Sequence, residues 1–251
     1  EVLKTQADLV FLATPAEVSF KLAPQLLALG KKVIDLSGAF RLKEHPVQDW
    51  YPFPGADAGF LKQVIYGLQP FCRKENWPAT AGLVANPGCY ATAVNLALAP
   101  LVAAKIIDNQ TLVVDAKSGT TGAGRKAQEA QLFAEVSEDL RPYRIGKHQH
   151  TPEIVEAIQN LTGQKLDLFL TTQLLPVRRG IQAAVYARLR PELNESKARA
   201  SFEAWLQEMY QGQSLILWGE ASEKPQLLSM RKVVGSAKAH LAYQFHQGKV
   251  S

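Results

Sequence analysis

Cysteine is almost missing from this chain: among 251 residues only Cys72 and Cys89 carry a thiol, and they form no CxxC pair. A disulfide framework is thereby excluded, and the usage suits a reducing compartment. Long apolar runs are missing too. No stretch reaches the roughly 18 uninterrupted apolar residues of a membrane helix, and the opening EVLKTQADLV has neither the charged start nor the apolar centre of a signal peptide. The expectations are a cytoplasmic protein and no membrane partner. Blocks of one charge sign are absent as well. The net charge of +5 is spread over single residues and pairs such as Lys31-Lys32 and Arg178-Arg179, which argues against nucleic acid and for an anionic small-molecule site. There is no internal repeat and no low-complexity tract.

What is present is alternation. With 47% hydrophobic residues the chain can bury one large core or two smaller ones. Leu9 to Ala13 is a strand-length apolar run, Ala16 to Leu29 is helix-like although Pro24 interrupts it, and Gly30 precedes a second short run, Val33 to Leu36. That is the βαβ unit of a buried parallel sheet. The segment 43–60, rich in proline, glycine and aromatics, is a connection long enough to expect a functional role. After Cys89 the texture changes. Thr111 to Ala116, Leu166 to Leu175 and Ile181 to Leu189 are longer strand candidates, and Asn194 to Tyr210 is a helix with Phe202, Leu206 and Tyr210 at spacings of four. The expected class is α/β: an incomplete Rossmann-type nucleotide-binding domain over 1–88, then an α+β catalytic and dimerisation domain over 89–251. Both ends read as cut, since the first strand lies only a few residues after Glu1 and the last residues begin a return strand.

Three segments carry chemistry. In Asn86-Pro87-Gly88-Cys89 a sharp turn delivers a thiol into the first turn of a helix running from Tyr90 to Leu101, where free N–H groups and the helix dipole stabilise a thiolate, the nucleophile of acyl transfer. Cys72 has no such setting and reads as structural. In GKHQHTPEI, His148 and His150 stand before Thr151 as N-cap and Pro152 as first helical residue. Acid/base work or substrate orientation fits them better than a metal, because no third ligand stands at a recognisable spacing. In SGTTGAGRKA, Arg125 and Lys126 occupy the places where a phosphate loop needs Lys and Ser or Thr. On spacing alone the loop is a weak anion or cofactor contact, or a plain tight turn.

Taken in order, DLSGAFRL (35–42), YGL (66–68), NPGCYATA (86–93), SGTTGAGRKA (118–127), HQHTPEI (148–154) and LPVRRGI (175–181) resemble the N-acetyl-gamma-glutamyl-phosphate reductases, the arginine-biosynthesis branch of the semialdehyde dehydrogenase superfamily. The resemblance implies NADPH-dependent reduction of N-acetyl-L-glutamyl 5-phosphate through a cysteine thioester, with NADP as cofactor, a small acyl phosphate as substrate and a homo-oligomeric state. It makes Cys89 the nucleophile and His148 and His150 the active-site histidines, with His150, next to the cap, favoured as acid/base. It sets Thr14, Pro15, Ser37, Ser118 and Gly119 beside NADP. Arg41 and Arg179 are candidates for the substrate's anionic groups, because guanidinium forks suit carboxylate and phosphate; Arg178 and Arg125 are weaker ones. The family's N-terminal glycine-rich loop and closing C-terminal helix have no counterpart here, which predicts weak cofactor binding by the chain as it stands. Aspartate-semialdehyde dehydrogenase, the lysine-pathway aminoadipyl-phosphate reductase and a non-catalytic binding remnant are the alternatives.

Overall fold

The computed structural model describes residues 6–72, 81–124 and 128–251. The chain divides into two compact units, one ending at Gly88 and one starting at Cys89.

The first unit is a parallel sheet of four strands in the order β1-β2-β4-β3, formed by Leu9–Leu12, Lys32–Asp35, Leu83–Ala85 (β4) and Val64–Tyr66 (β3). Helix α1, Ala16–Ala28, returns the chain from β1 to β2. It runs through Pro24, because Ser19, Ala23 and Leu26 form one buried stripe at helical spacing whose packing outweighs the lost N–H. Gly30 then takes φ +71, which a side chain would resist. The long connection 43–60 is largely exposed but is pinned to the core by a few apolar side chains. Val47 and Phe53 are buried in it, Phe53 stacks on Phe20 at 5.0 Å, and Phe60 tilts against Phe40 at 5.5 Å. A short helix α2, Ala58–Leu61, closes the segment with the Asp57 carboxylate accepting from Phe60 N.

The second unit is built on a six-stranded sheet, β11-β12-β8-β5-β7-β6. Its centre is β5 (Leu112–Ser118), parallel to β7 (Leu168–Leu174) and antiparallel to β8 (Ile181–Arg188). One edge is β6 (Arg141–Tyr143), preceded by the single turn of α4 (Phe133–Val136); the other is the hairpin of β11 (Phe245–His246) and β12 (Lys249–Val250). Residues Leu112, Val114, Ala116 and Ser118 alternate into the interior, where α3 (Cys89–Ala103) and α5 (His150–Thr162) pack. Helix α3 is apolar almost all round, so it is a core helix, and it starts one residue earlier and ends two later than its sequence pattern indicates. Helix α6, Glu195–Tyr210, is capped by the Asn194 side chain, which accepts from Lys197 N at 2.8 Å. Its buried Phe202 meets Tyr243 edge-to-face at 5.1 Å; Tyr243 ends β10 (Ala239–Tyr243), which pairs in parallel with β9 (Ile216–Glu220).

No helix of the described residues is long and apolar enough to cross a membrane.

Candidate active site

Cys89 is the first residue of α3, where the leading N–H groups of a helix lack intrahelical partners and the positive end of the dipole lies. Its side chain is exposed and opens on a groove of about 770 Å³ in the second unit, also lined by Ser118, Gly119, Arg179 and Ile181. The next residue, Tyr90, is fully buried and does not line that groove. Cys72 is half-buried in the other unit.

Tyr90 organises the interior side of the site. Its ring lies edge-on to His148 (centroids 5.4 Å apart) and to His150 (6.0 Å), and the two imidazoles are 4.7 Å apart. Its hydroxyl receives the Tyr143 hydroxyl at 3.0 Å. Tyr143 is held in turn by its carbonyl, which accepts from the buried Thr172 hydroxyl at 2.5 Å. Burial, first of all, pushes both phenols above their ordinary range, and negative charge on Cys89 adds to the shift. Both therefore remain neutral hydrogen-bonding groups.

The histidines differ in surroundings. Helix α5 begins at His150 itself, so Thr151 is not its N-cap; the Thr151 hydroxyl is buried without a hydrogen-bond partner among the described residues. The capping is done by His148, whose Nδ1 accepts from His150 N at 3.1 Å. That bond fixes the tautomer, because Nδ1 as acceptor leaves the proton on Nε2. His148 is buried, and burial, helped by the positive charge of Arg144, lowers its pKa to about 4. It is neutral across the physiological range. His150 has the opposite kind of neighbour: the buried Glu153 carboxylate, one turn on, lies 3.9 Å from its Nε2. A carboxylate at that range can orient the ring. Among the described residues no three His, Cys, Asp or Glu side chains converge on a metal position.

Among the described residues of the glycine-rich loop, most N–H groups are spent within the protein. The N–H groups of Gly119, Thr120 and Thr121 donate to Gly180 O (2.9 Å), Val177 O (2.9 Å) and Arg178 O (3.0 Å), and those of Gly122 and Gly124 turn back to Gly119 O and Thr121 O. The loop is zipped to the segment after β7. Gly119 is required there because a Cβ would stand 2.7 Å from Arg178 O and Arg179 N. The Ser118 hydroxyl is likewise committed, donating to Gly119 O at 2.9 Å. Arg179, exposed, is left lining the groove. Arg125 lies outside the described residues.

In the first unit Arg41 is buried, its Nε donating to Asn86 O (2.8 Å) and a terminal nitrogen to Leu36 O (2.9 Å). This guanidinium braces the turn that leads to Cys89, a different duty from the anion binding expected of it. Ser37 is equally occupied: its hydroxyl donates to the buried Asp35 carboxylate at 2.9 Å and accepts from Ala39 N at 3.1 Å. Thr14 shares a 2.8 Å hydrogen bond with Ser19 at the carboxyl end of β1, and Pro15 precedes α1. Tyr90, Tyr143 and Glu153 escaped the reading of the sequence. The first is inside NPGCY and the last three residues after His150, so a same-face spacing of i and i+3 would have revealed Glu153; Tyr143 left no signal.

Two family models cover the chain. Residues 89–251 match the semialdehyde dehydrogenase dimerisation domain, and residues 1–77 match the semialdehyde dehydrogenase NAD binding domain. The chain belongs to the semialdehyde dehydrogenase family. Among curated relatives it is 47% identical over 191 residues to the N-acetyl-gamma-glutamyl-phosphate reductase of Bacillus cytotoxicus, across 76% of this chain and 55% of that one. The reductase of the same name from Herminiimonas arsenicoxydans is 44% identical across 79% of this chain and 57% of that one, and that from Bacillus cereus is 38% identical across 100% and 71%. The chain thus aligns with little more than half the length of the first two. Among solved structures, aspartate semialdehyde dehydrogenase II of Vibrio cholerae has the same fold, with a TM-score of 0.65 at 16% identity over 98% of this chain and 72% of that one.

Proposed function

We propose that this chain carries the acyl-transfer centre of an NADPH-dependent reductase that converts N-acetyl-L-glutamyl 5-phosphate to N-acetyl-L-glutamate 5-semialdehyde and phosphate, in arginine biosynthesis. The observation that carries the reading is the asymmetric histidine pair beside the Cys89 helix: one imidazole kept neutral, the other coupled to a buried carboxylate. The names of the relatives at 38–47% identity supply the substrate. The likeness to aspartate semialdehyde dehydrogenases, at 16% identity, concerns the fold and does not favour that substrate.

The steps follow from the groups present. The Cys89 thiolate, stabilised at the start of α3, adds to the acyl phosphate carbon, and the oxyanion that forms is met by the helix's leading N–H groups. Phosphate departs and a thioester remains on Cys89. A nicotinamide cofactor, when bound, supplies hydride to that thioester carbon. His150, oriented by Glu153, then gives and takes the proton as the semialdehyde leaves and the thiolate returns. His148 offers Nε2–H as a fixed neutral donor to substrate, and Arg179 offers charge to its anionic groups. Thr14 and Pro15, at the carboxyl end of a parallel strand, stand where a dinucleotide's polar edge fits such sheets. The β1–α1 turn has no glycine to cradle a pyrophosphate. Ser118 and Gly119 act as framework for the site.

The partner we propose is a second copy of the chain. Across the outer face of the sheet, Tyr186, Val113 and Phe169 stand side by side in register, each 40–52% exposed, on the region matching a dimerisation domain.

The enzymatic test is phosphate-dependent reduction of NADP with N-acetylglutamate semialdehyde, measured in the full-length protein. Cys89→Ala is expected to abolish it and Cys72→Ala to preserve it. His150→Gln should lower kcat by roughly 10²- to 10⁴-fold, and His148→Gln should chiefly raise KM. Equal losses in the two cysteine variants would sink the choice of nucleophile.

A further inference from the structure

We propose that the unit beginning at Cys89 also hydrolyses small acyl phosphates and activated acyl esters, with no nicotinamide cofactor. The proposal rests on the acyl-transfer reading above and extends it to a second acceptor, water. Every group that reading uses for forming and breaking an acyl-sulfur bond belongs to this one unit: Cys89, His148, His150, Glu153 and Arg179. Nothing from the nucleotide-binding unit enters those steps.

The Cys89 side chain is exposed and faces an open groove of about 770 Å³, so an acyl group on its sulfur stands in reach of solvent. The residue after Cys89, Tyr90, lies edge-on to both imidazoles, at 5.4 Å from His148 and 6.0 Å from His150. His150 is buried with the Glu153 carboxylate 3.9 Å from its Nε2, an arrangement in which the imidazole can take a proton and hold the charge. His148 keeps its Nε2–H because Nδ1 is spent on His150 N. A thioester, a proton acceptor and a neutral donor are the parts of a hydrolase.

The reaction balances without a redox partner. The thiolate adds to the acyl carbon, the carbon–oxygen bond to phosphate breaks, and inorganic phosphate leaves with the electron pair. Water then adds to the thioester carbon while His150 takes one of its protons. The carbon–sulfur bond breaks, the free acid departs, and the sulfur leaves as thiolate; the proton on His150 passes to solvent. In the reductase cycle this route competes with hydride transfer for the same thioester.

The experiment uses the whole 251-residue chain with acetyl phosphate, and separately p-nitrophenyl acetate, in the absence of nicotinamide. Released phosphate or nitrophenolate is counted against protein, and intact mass reads acetylation of Cys89. Continued release well beyond one equivalent per chain is the expected result, lost in Cys89→Ser and unchanged in Cys72→Ser. Glu153→Gln and His150→Gln, each checked for folding by circular dichroism, should keep the first equivalent and slow later turnover by about 10²-fold. A single equivalent with a lasting acetyl group on Cys89 of the unaltered chain would overturn the hydrolysis and leave the acyl-transfer reading standing. Absence of both adduct and release would overturn the two together.

Discussion

Two histidines separated by one residue have different nearest partners. His148 lies under tyrosine rings with Arg144 nearby and stays neutral, whereas His150 faces Glu153. The depressed pKa has a measurable consequence for stability. A histidine near 6.5 in the unfolded chain and about 4 in the fold leaves the unfolded state binding more protons between those values, so stability rises with pH there. His148 therefore contributes fully above about pH 6.5, and its contribution is lost as pH falls toward 4. Thermal melts across that window should give a falling midpoint for the unaltered protein and a shallower fall for His148→Gln. Parallel curves would mean that other groups carry the acid sensitivity. HQHTPEI marked this pair in the sequence, and the place of His150 beside the cap gave the preference between the rings; the burial of His148 by Tyr90 and Tyr143 and the charge of Arg144, which come from α3 and the end of β6, were not legible there.

At the scale of elements, the site is a frame made by one strand end and two helix starts: Ser118 ends β5, Cys89 opens α3 and His150 opens α5. Periodicity made the strands and helices legible, with ends off by one or two residues, since alternation and spacing reflect burial on one face. The glycine-rich loop and Arg41 were less legible. Glycine spacing carries no information on whether N–H groups face a ligand or another loop, and here the 177–180 segment takes them. A buried arginine reads like an exposed one until its carbonyl partners are known. Gly119→Ala tests the loop directly. Its methyl would meet main-chain atoms 2.7 Å away, so the two loops must part, and we expect a destabilisation of roughly 1–3 kcal/mol in denaturant titration. Gly124→Ala, with open space but φ +83, should cost about 1 kcal/mol from backbone strain alone. A larger loss at Gly124 than at Gly119 would show that the contact with the 178–179 backbone is unimportant.

For the whole molecule, family membership rests on matched segments from both units, and the proposed acyl chemistry on groups of the second alone. The outer sheet face belongs to this scale, because its apolar row of Tyr186, Val113 and Phe169 appears only when three strands are laid in register. Light scattering should find a dimer, and Phe169→Asp, placing a charge on each copy of the buried patch, should yield monomers. An unchanged mass would remove that face as the interface. The central claim, that Cys89 forms an acyl thioester, is tested most directly by mixing the chain with freshly prepared N-acetylglutamyl phosphate and mapping the adduct by mass spectrometry. The account predicts one N-acetylglutamyl group per chain, on the peptide containing Cys89, removable by hydroxylamine and absent in Cys89→Ala. An adduct on another residue, or one that persists in Cys89→Ala, would contradict it.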